Sequence, residues 1–250
     1  MRVLFAALIV SLLSLVTAGI TSAAVKMESG ESFAEPTTRE ILLTVLALRG
    51  LDVNAPGTLA DYARIFYCDI YKEKFKNDFE WNQVQRQLLA RINSPSEYYR
   101  LNYQISGVVL LGRYDFKKQE FPFEEESALN NVGSLTMLAK PDDGKGFCGE
   151  SLGLSVPRMA TIVFSQPLTY ESLKMPMDKA QELLDRFVQM KNERRMLHLR
   201  FRVRVTGFDN MFFDASRGWN QKATFKGDLV GMDLFLDREM TQQVASVPLK

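Results

Sequence analysis

Residues 197–205 read Leu-His-Leu-Arg-Phe-Arg-Val-Arg-Val, apolar at every odd position and histidine or arginine at every even one. Successive side chains of an extended chain point to opposite faces, so this run has one buried face and one that carries His198, Arg200, Arg202 and Arg204 at about 7 Å intervals. A one-residue slip in pairing would carry three guanidinium groups into the core, which sets the register as firmly as the strand itself. The pattern predicts a strand over 196–206 in a sheet with one sealed face.

Period-two patterning recurs elsewhere. Leu101, Tyr103 and Ile105 alternate with Arg100, Asn102 and Gln104, and the run continues through Val108–Leu111 towards Phe116, which predicts a long strand with a bulge near Gly107. Shorter strands are expected over 134–139 and 160–164, separated by the Pro141-Asp142-Asp143-Gly144 turn, and another over 224–236. Helical spacing dominates the first half. One helix is expected over 39–49 with Gly50 at a left-handed end, and a second opens at Thr58 and runs through Tyr71. A third is capped by Asn77 with Glu80 and stopped by Ser94-Pro95, and a fourth starts at Asp178 with Gln181. Pooled, these elements predict an α+β fold: N-terminal helices followed by an antiparallel sheet with one inserted helix. Residues 39–250 are expected to form a single α+β domain, with 166–177 as the place where it could subdivide.

The N-terminus sets the compartment. Arg2 is followed by an apolar run from Val3 to Ile20 that closes on Thr21-Ser22-Ala23-Ala24, the order of a secretory signal peptide. Ser and Thr dilute the run, whereas a stable span needs roughly 20 strongly apolar residues, so residues 1–24 are expected to be cleaved rather than kept as an anchor. Residues 25–38 are polar and small and read as a flexible leader. The expected location is exported, periplasmic or secreted, with membrane contact only through an uncleaved signal. Formal net charge is +1 and falls to 0 without Arg2, which argues against a nucleic-acid partner. Export also makes Cys68 and Cys148, the two cysteines, a disulfide pair, with two buried thiols as the alternative.

Candidate chemistry is sparse. The row His198, Arg200, Arg202, Arg204 is the candidate ligand-binding set, because guanidinium forks match phosphate, sulfate and carboxylate groups. The same row would also be an ordinary charged outer face paired with acids such as Asp228, Asp233 or Asp237. With one histidine and no paired Cys or His spacing, neither a metal site nor a cofactor is expected. Gly149-Glu150-Ser151-Leu152-Gly153 spells G-x-S-x-G, but loop signals at Gly144-Lys145-Gly146 and Pro157 flank it where a nucleophile elbow needs strand and helix. Glu124-Glu125-Glu126 and Asp142-Asp143 are the carboxylate clusters; glycosidase-like chemistry would need two carboxyls across a cleft. Phe116, Phe121 and Phe123, interleaved with Lys117, Lys118 and Pro122, read as a loop laying its rings on the core, although exposed aromatics would also suit an interaction surface.

The segment Gly112-Arg113-Tyr114-Asp115-Phe116-Lys117-Lys118-Gln119-Glu120-Phe121-Pro122-Phe123 resembles one recurring in a domain-of-unknown-function family of exported bacterial proteins. Tyr71–Trp81 and the Ala180–Leu184 helix leading into Arg195–Val205 are similar in kind. The resemblance implies a bacterial envelope setting and supplies no catalytic residues. The reading is an exported, non-catalytic binding or interaction domain whose partner is a protein or a small anionic ligand. The alternative is an envelope hydrolase using Ser151 or a carboxylate pair. Mass spectrometry of the native N-terminus is expected to show the first 23 or 24 residues absent; a Met1-bearing chain in the membrane fraction would identify an anchor instead.

Overall fold

The computed structural model describes residues 32–94, 101–127, 129–140, 148, 156–214 and 220–249. The signal segment, the first half of the leader, Ser151 and Asp142-Asp143 lie outside these residues.

The alternating run is the middle of β6 (Met196–Asp214), which pairs antiparallel with β1 (Asn102–Leu110) on one side and β7 (Asn220–Phe235) on the other. Leu197, Leu199, Phe201, Val203 and Val205 are all buried, as the alternation requires. Pairing with β1 is unbroken from Asn102↔Arg204 to Leu110↔Met196, so the bulge expected near Gly107 is absent. Gly107 has a packing role instead: a Cβ there would meet the Phe201 ring at 3.0 Å. On its other side β6 does carry bulges against β7, at Arg202/Val203, Val205/Gly207 and Phe208/Asn210, where extra residues increase the twist of the pair.

β7 shares its second edge between two strands. Its first half pairs with β4 (Pro157–Tyr170) and its second half with β8 (Gln243–Pro248), a strand that the sequence pattern did not predict. β3 (Leu129–Leu138) completes the order β1-β6-β7-β4-β3. The fold is α+β, but the sheet is mixed rather than wholly antiparallel, because β4 and β7 run parallel. A small second sheet pairs β2 (Glu120–Pro122) with β5 (Ser172–Lys174). Residues 166–177 therefore hold the end of β4, all of β5 and the first residue of the helix α5 (Met177–Gln189). Pro176 occupies the N-cap of α5 without a side-chain bond, in place of the expected Asp178.

The leader joins the fold before it ends. Ala34 donates to Asn102 O at 3.1 Å and accepts from Gln104 N at 2.9 Å on β1, while Pro36 O accepts from Lys140 N at 2.8 Å just beyond β3. Glu35 and Lys140 add an ion pair at 2.6 Å. Residues 34–37 thus touch both terminal strands of the main sheet, which must curl for this to happen.

Thr37 then caps α1 (Thr38–Ala47) by accepting from Glu40 N. α1 is apolar on two sides: Ile41 and Val45 enter the sheet core, while Leu42 and Leu46 enter a second cluster with α2 (Pro56–Phe66) and α4 (Asp78–Asn93). Tyr103 of β1, fully buried, donates its hydroxyl to Glu40 O at 2.9 Å and bonds the Thr44 hydroxyl, and burial pushes its pKa up. The left-handed residue after α1 is Arg49 (φ 56°), not Gly50. Gly50 lies under the Phe208 ring, which a Cβ would meet at 2.7 Å. The second predicted helix divides at Tyr67 into α2 and α3 (Cys68–Lys74), and α2 begins at Pro56 rather than being capped by Thr58. Asn77 caps α4 as predicted, accepting from the Phe79 and Glu80 amides.

Cys68 and Cys148 form a disulfide with their Cα atoms 5.2 Å apart, tying α3 to the chain between β3 and β4. It closes a span of 80 residues. The Cys68→Ser/Cys148→Ser variant should lose roughly 2–4 kcal/mol of unfolding free energy by denaturant titration; an unchanged midpoint would show that the bridge adds nothing. Asp237, buried where β7 turns towards β8, gives a second test. Burial pushes its carboxyl up, but the amides of Thr241 and Gln242 and the Thr241 hydroxyl more than offset this and hold it at about 2, below its ordinary 3.8. The stability it contributes is complete above the unfolded pKa and is lost as pH falls through the folded one. Asp237→Asn should therefore lower Tm at neutral pH, with the difference narrowing between about pH 4 and pH 2. A constant difference across that range would assign its role elsewhere.

Candidate functional site: the outer face of β6

Alternation brings His198, Arg200, Arg202 and Arg204 onto the face of the sheet away from the core, the first three half-buried and Arg204 exposed. Their register partners on β1 are Val108, Ser106, Gln104 and Asn102, none of them charged. On β7 they face Phe235, Asp233, Gly231 and Asp228. The row is therefore flanked by amides and a hydroxyl on one side and by two carboxylates on the other.

Each arginine has a different environment. Arg202 pairs with Asp233, Nε to Oδ2 at 3.3 Å, with the two side chains 26% and 14% exposed. Its guanidinium lies over Gly231, where a Cβ would come within 2.5 Å of a terminal nitrogen, and it sits 6.0 Å from the Phe33 ring centroid. Asp233 also accepts from Ser246 of β8 at 2.6 Å. Arg200 stacks on the Phe235 ring at 4.6 Å, a contact that braces the guanidinium without neutralising it. Arg204 donates from Nε to the Asn102 side-chain oxygen at 3.4 Å.

Of the three acids expected to face the row, Asp233 and Asp228 stand opposite it, Asp233 paired with Arg202 and Asp228 across from Arg204. Asp228 accepts from Ser165, and Asp237 is occupied by its own turn. Cross-strand pairing was legible from the alternation. Phe33 was not, because no local pattern ties the leader to a strand more than 160 residues away.

His198 lies between Val108 and Phe235 in the register, so neither neighbour supplies a carboxylate or a hydroxyl for a triad. Glu124 to Glu126 are exposed at a single 3-10 turn over Glu125–Ser127. Among the described residues no group of three or more His, Cys, Asp or Glu side chains could hold a metal ion. No helix among them is long and apolar enough to cross a membrane.

The fold and this face define an α+β domain with a curled mixed sheet and a cation-bearing outer surface. A family model described as Domain of unknown function (DUF4852) matches residues 57–186, and the chain belongs to that family. The matched residues hold both cysteines and the Gly112–Phe123 segment; the cationic strand lies beyond them. Comparison with curated proteins and with solved structures gave no match.

Proposed function

We propose that the chain is an exported, non-catalytic binding domain of the bacterial envelope that takes an anionic partner along the outer face of β6. The observation that supports this reading is the asymmetry of the face. Arg200 and Arg204 stand on either side of the Arg202–Asp233 pair, and their β1 flank offers Asn102, Gln104 and Ser106, which can add hydrogen bonds but no repulsion. An anion laid along that flank would meet two guanidinium groups and neutral polar side chains. Arg202 holds the β6–β7 pair together, and Arg200 and Arg204 are the residues through which binding would act. Compartment enters from the signal-like N-terminus and from the Cys68–Cys148 bridge, which suits an oxidising environment.

Titration with a sulfated disaccharide and with a short oligoglutamate peptide tests the reading. Arg200→Ala/Arg204→Ala should weaken binding about tenfold or more at unchanged Tm, and binding should weaken further as salt rises. Arg202→Ala should instead cost stability, about 1 kcal/mol, because it leaves Asp233 with Ser246 alone. If the double variant binds both probes as the parent does, the row has no binding role and is a solvated sheet face.

A further inference from the structure

The Gly112–Phe123 segment divides its aromatic rings between two destinations. Phe121 and Phe123 are buried in the sheet core, but Phe116 is 67% exposed at the tip of a tight loop. That loop is rigidly built. Asp115 N donates to Glu120 O at 2.8 Å and Glu120 N returns to Asp115 O at 3.3 Å. The Asp115 carboxylate accepts from the amides of Lys117 and Lys118 at 2.8 and 3.0 Å, and the Lys118 and Lys117 bonds hold its pKa below the ordinary value. Below the tip, Tyr114 meets Phe116 edge-on at 5.1 Å and donates its hydroxyl to Met175 O, while Met175 N donates to Gln119 O. These bonds fasten the loop to the start of α5, where Met177 is itself 52% exposed.

We infer that this loop is a docking finger for an anionic lipid surface, with Phe116 entering the headgroup region and Lys117, Lys118 and Arg113 meeting lipid phosphates. Arg113, Lys117 and Lys118 are all exposed; of the acids around them, Asp115 closes the turn, Glu120 accepts from Ser172 and lies 3.9 Å from the Lys118 ammonium, and Asp178 is exposed close enough to act on Tyr114. Three exposed cations against the one exposed carboxylate of Asp178 leave a positive balance around an apolar tip, the combination that binds anionic membranes. A preformed tip loses little conformational freedom on docking. The contrast with Phe79 supports the choice of occupant: that ring is 87% exposed, but its neighbours are Asp78, which an anionic surface would repel, and Glu80, already paired with Lys74, with no lysine or arginine directly beside it in the chain.

Co-sedimentation of the full chain with vesicles of phosphatidylcholine containing about 30 mol% phosphatidylglycerol, set against pure phosphatidylcholine, tests the inference. The apolar run 3–20 is common to parent and variants, so only differences between them are read. Partitioning onto anionic vesicles should fall about tenfold in Phe116→Ser and about fivefold for each of Lys117→Gln and Lys118→Gln, and it should fall with salt. Phe116→Trp should keep binding and show a blue-shifted indole emission on anionic vesicles only, whereas Phe79→Ser should partition like the parent. Equal partitioning of parent and Phe116→Ser, at matched Tm, overturns the inference. Binding of an oligoglutamate peptide through Phe116 and the lysines, with no vesicle difference, overturns it in favour of an acidic protein partner.

Discussion

Two-sided pairing of β6 is the constraint from which the rest of the molecule follows. Because β1 and β7 both pair with it, a one-residue change in its phase would carry its whole apolar set to the outer face while its neighbours kept theirs inward. The apolar set from Leu197 to Val205 resists that change, since inversion would bury three arginines. The three bulges against β7 curl the sheet without disturbing this phase where it matters, between Met196 and Arg202. Gly227 is where β4, β6 and β7 approach closely: a Cβ there would meet Arg204 O and Ile162 Cγ2, both at 2.6 Å. Any side chain at that position would push β4 and β6 away from β7.

The helices depend on the sheet in turn. α1 is buried from two sides, by the curled sheet and by α2 and α4, and its position is set by Tyr103, whose hydroxyl reaches the Glu40 carbonyl and Thr44. A phenol buried so deeply is costly unless it is bonded, so the pair of bonds both stabilises and orients the contact. The disulfide adds a covalent tie on the far side of the helical layer, where Cys148 and Val156 join the cluster of α2 and α4. The inner face of the sheet is filled, and the outer face of β6 holds its arginines in three settings: Arg202 paired with Asp233, Arg200 half-buried on the Phe235 ring, and Arg204 exposed beside Asn102.

Membership of a family whose model covers residues 57–186 places α2 to α5 and the finger loop inside the shared unit, while β6 to β8 lie outside the match. The fold nevertheless needs β6 and β7, because within the main sheet they are what joins β1 to the β3–β4 pair.

What the sequence determined by itself was whatever depends on neighbours a few positions apart. The period-two run over 197–205, the Asn77 cap of α4 and the α+β order of elements were all legible, because side-chain alternation and helix capping are local physics. The cysteine pair was legible for a simpler reason, since two cysteines admit one bridge. Tertiary structure decided the remainder. The parallel β4–β7 pairing follows from which strand reaches a vacant edge, and no local pattern encodes that. Gly50 and Gly107 were each read for backbone conformation, yet both are small because a distant ring, Phe208 or Phe201, occupies the place of a Cβ. Arg202 and Arg204 look alike in the strand, and only the approach of Asp233, Gly231 and Phe33 makes the first a structural tie and leaves the second exposed. The three phenylalanines of 116–123 could not be told apart by spacing. The local bonds of the Asp115 loop leave Phe116 at its tip, while the pairing of β2 with β5 and the bond from Met175 to Gln119 hold the segment against the core that takes Phe121 and Phe123.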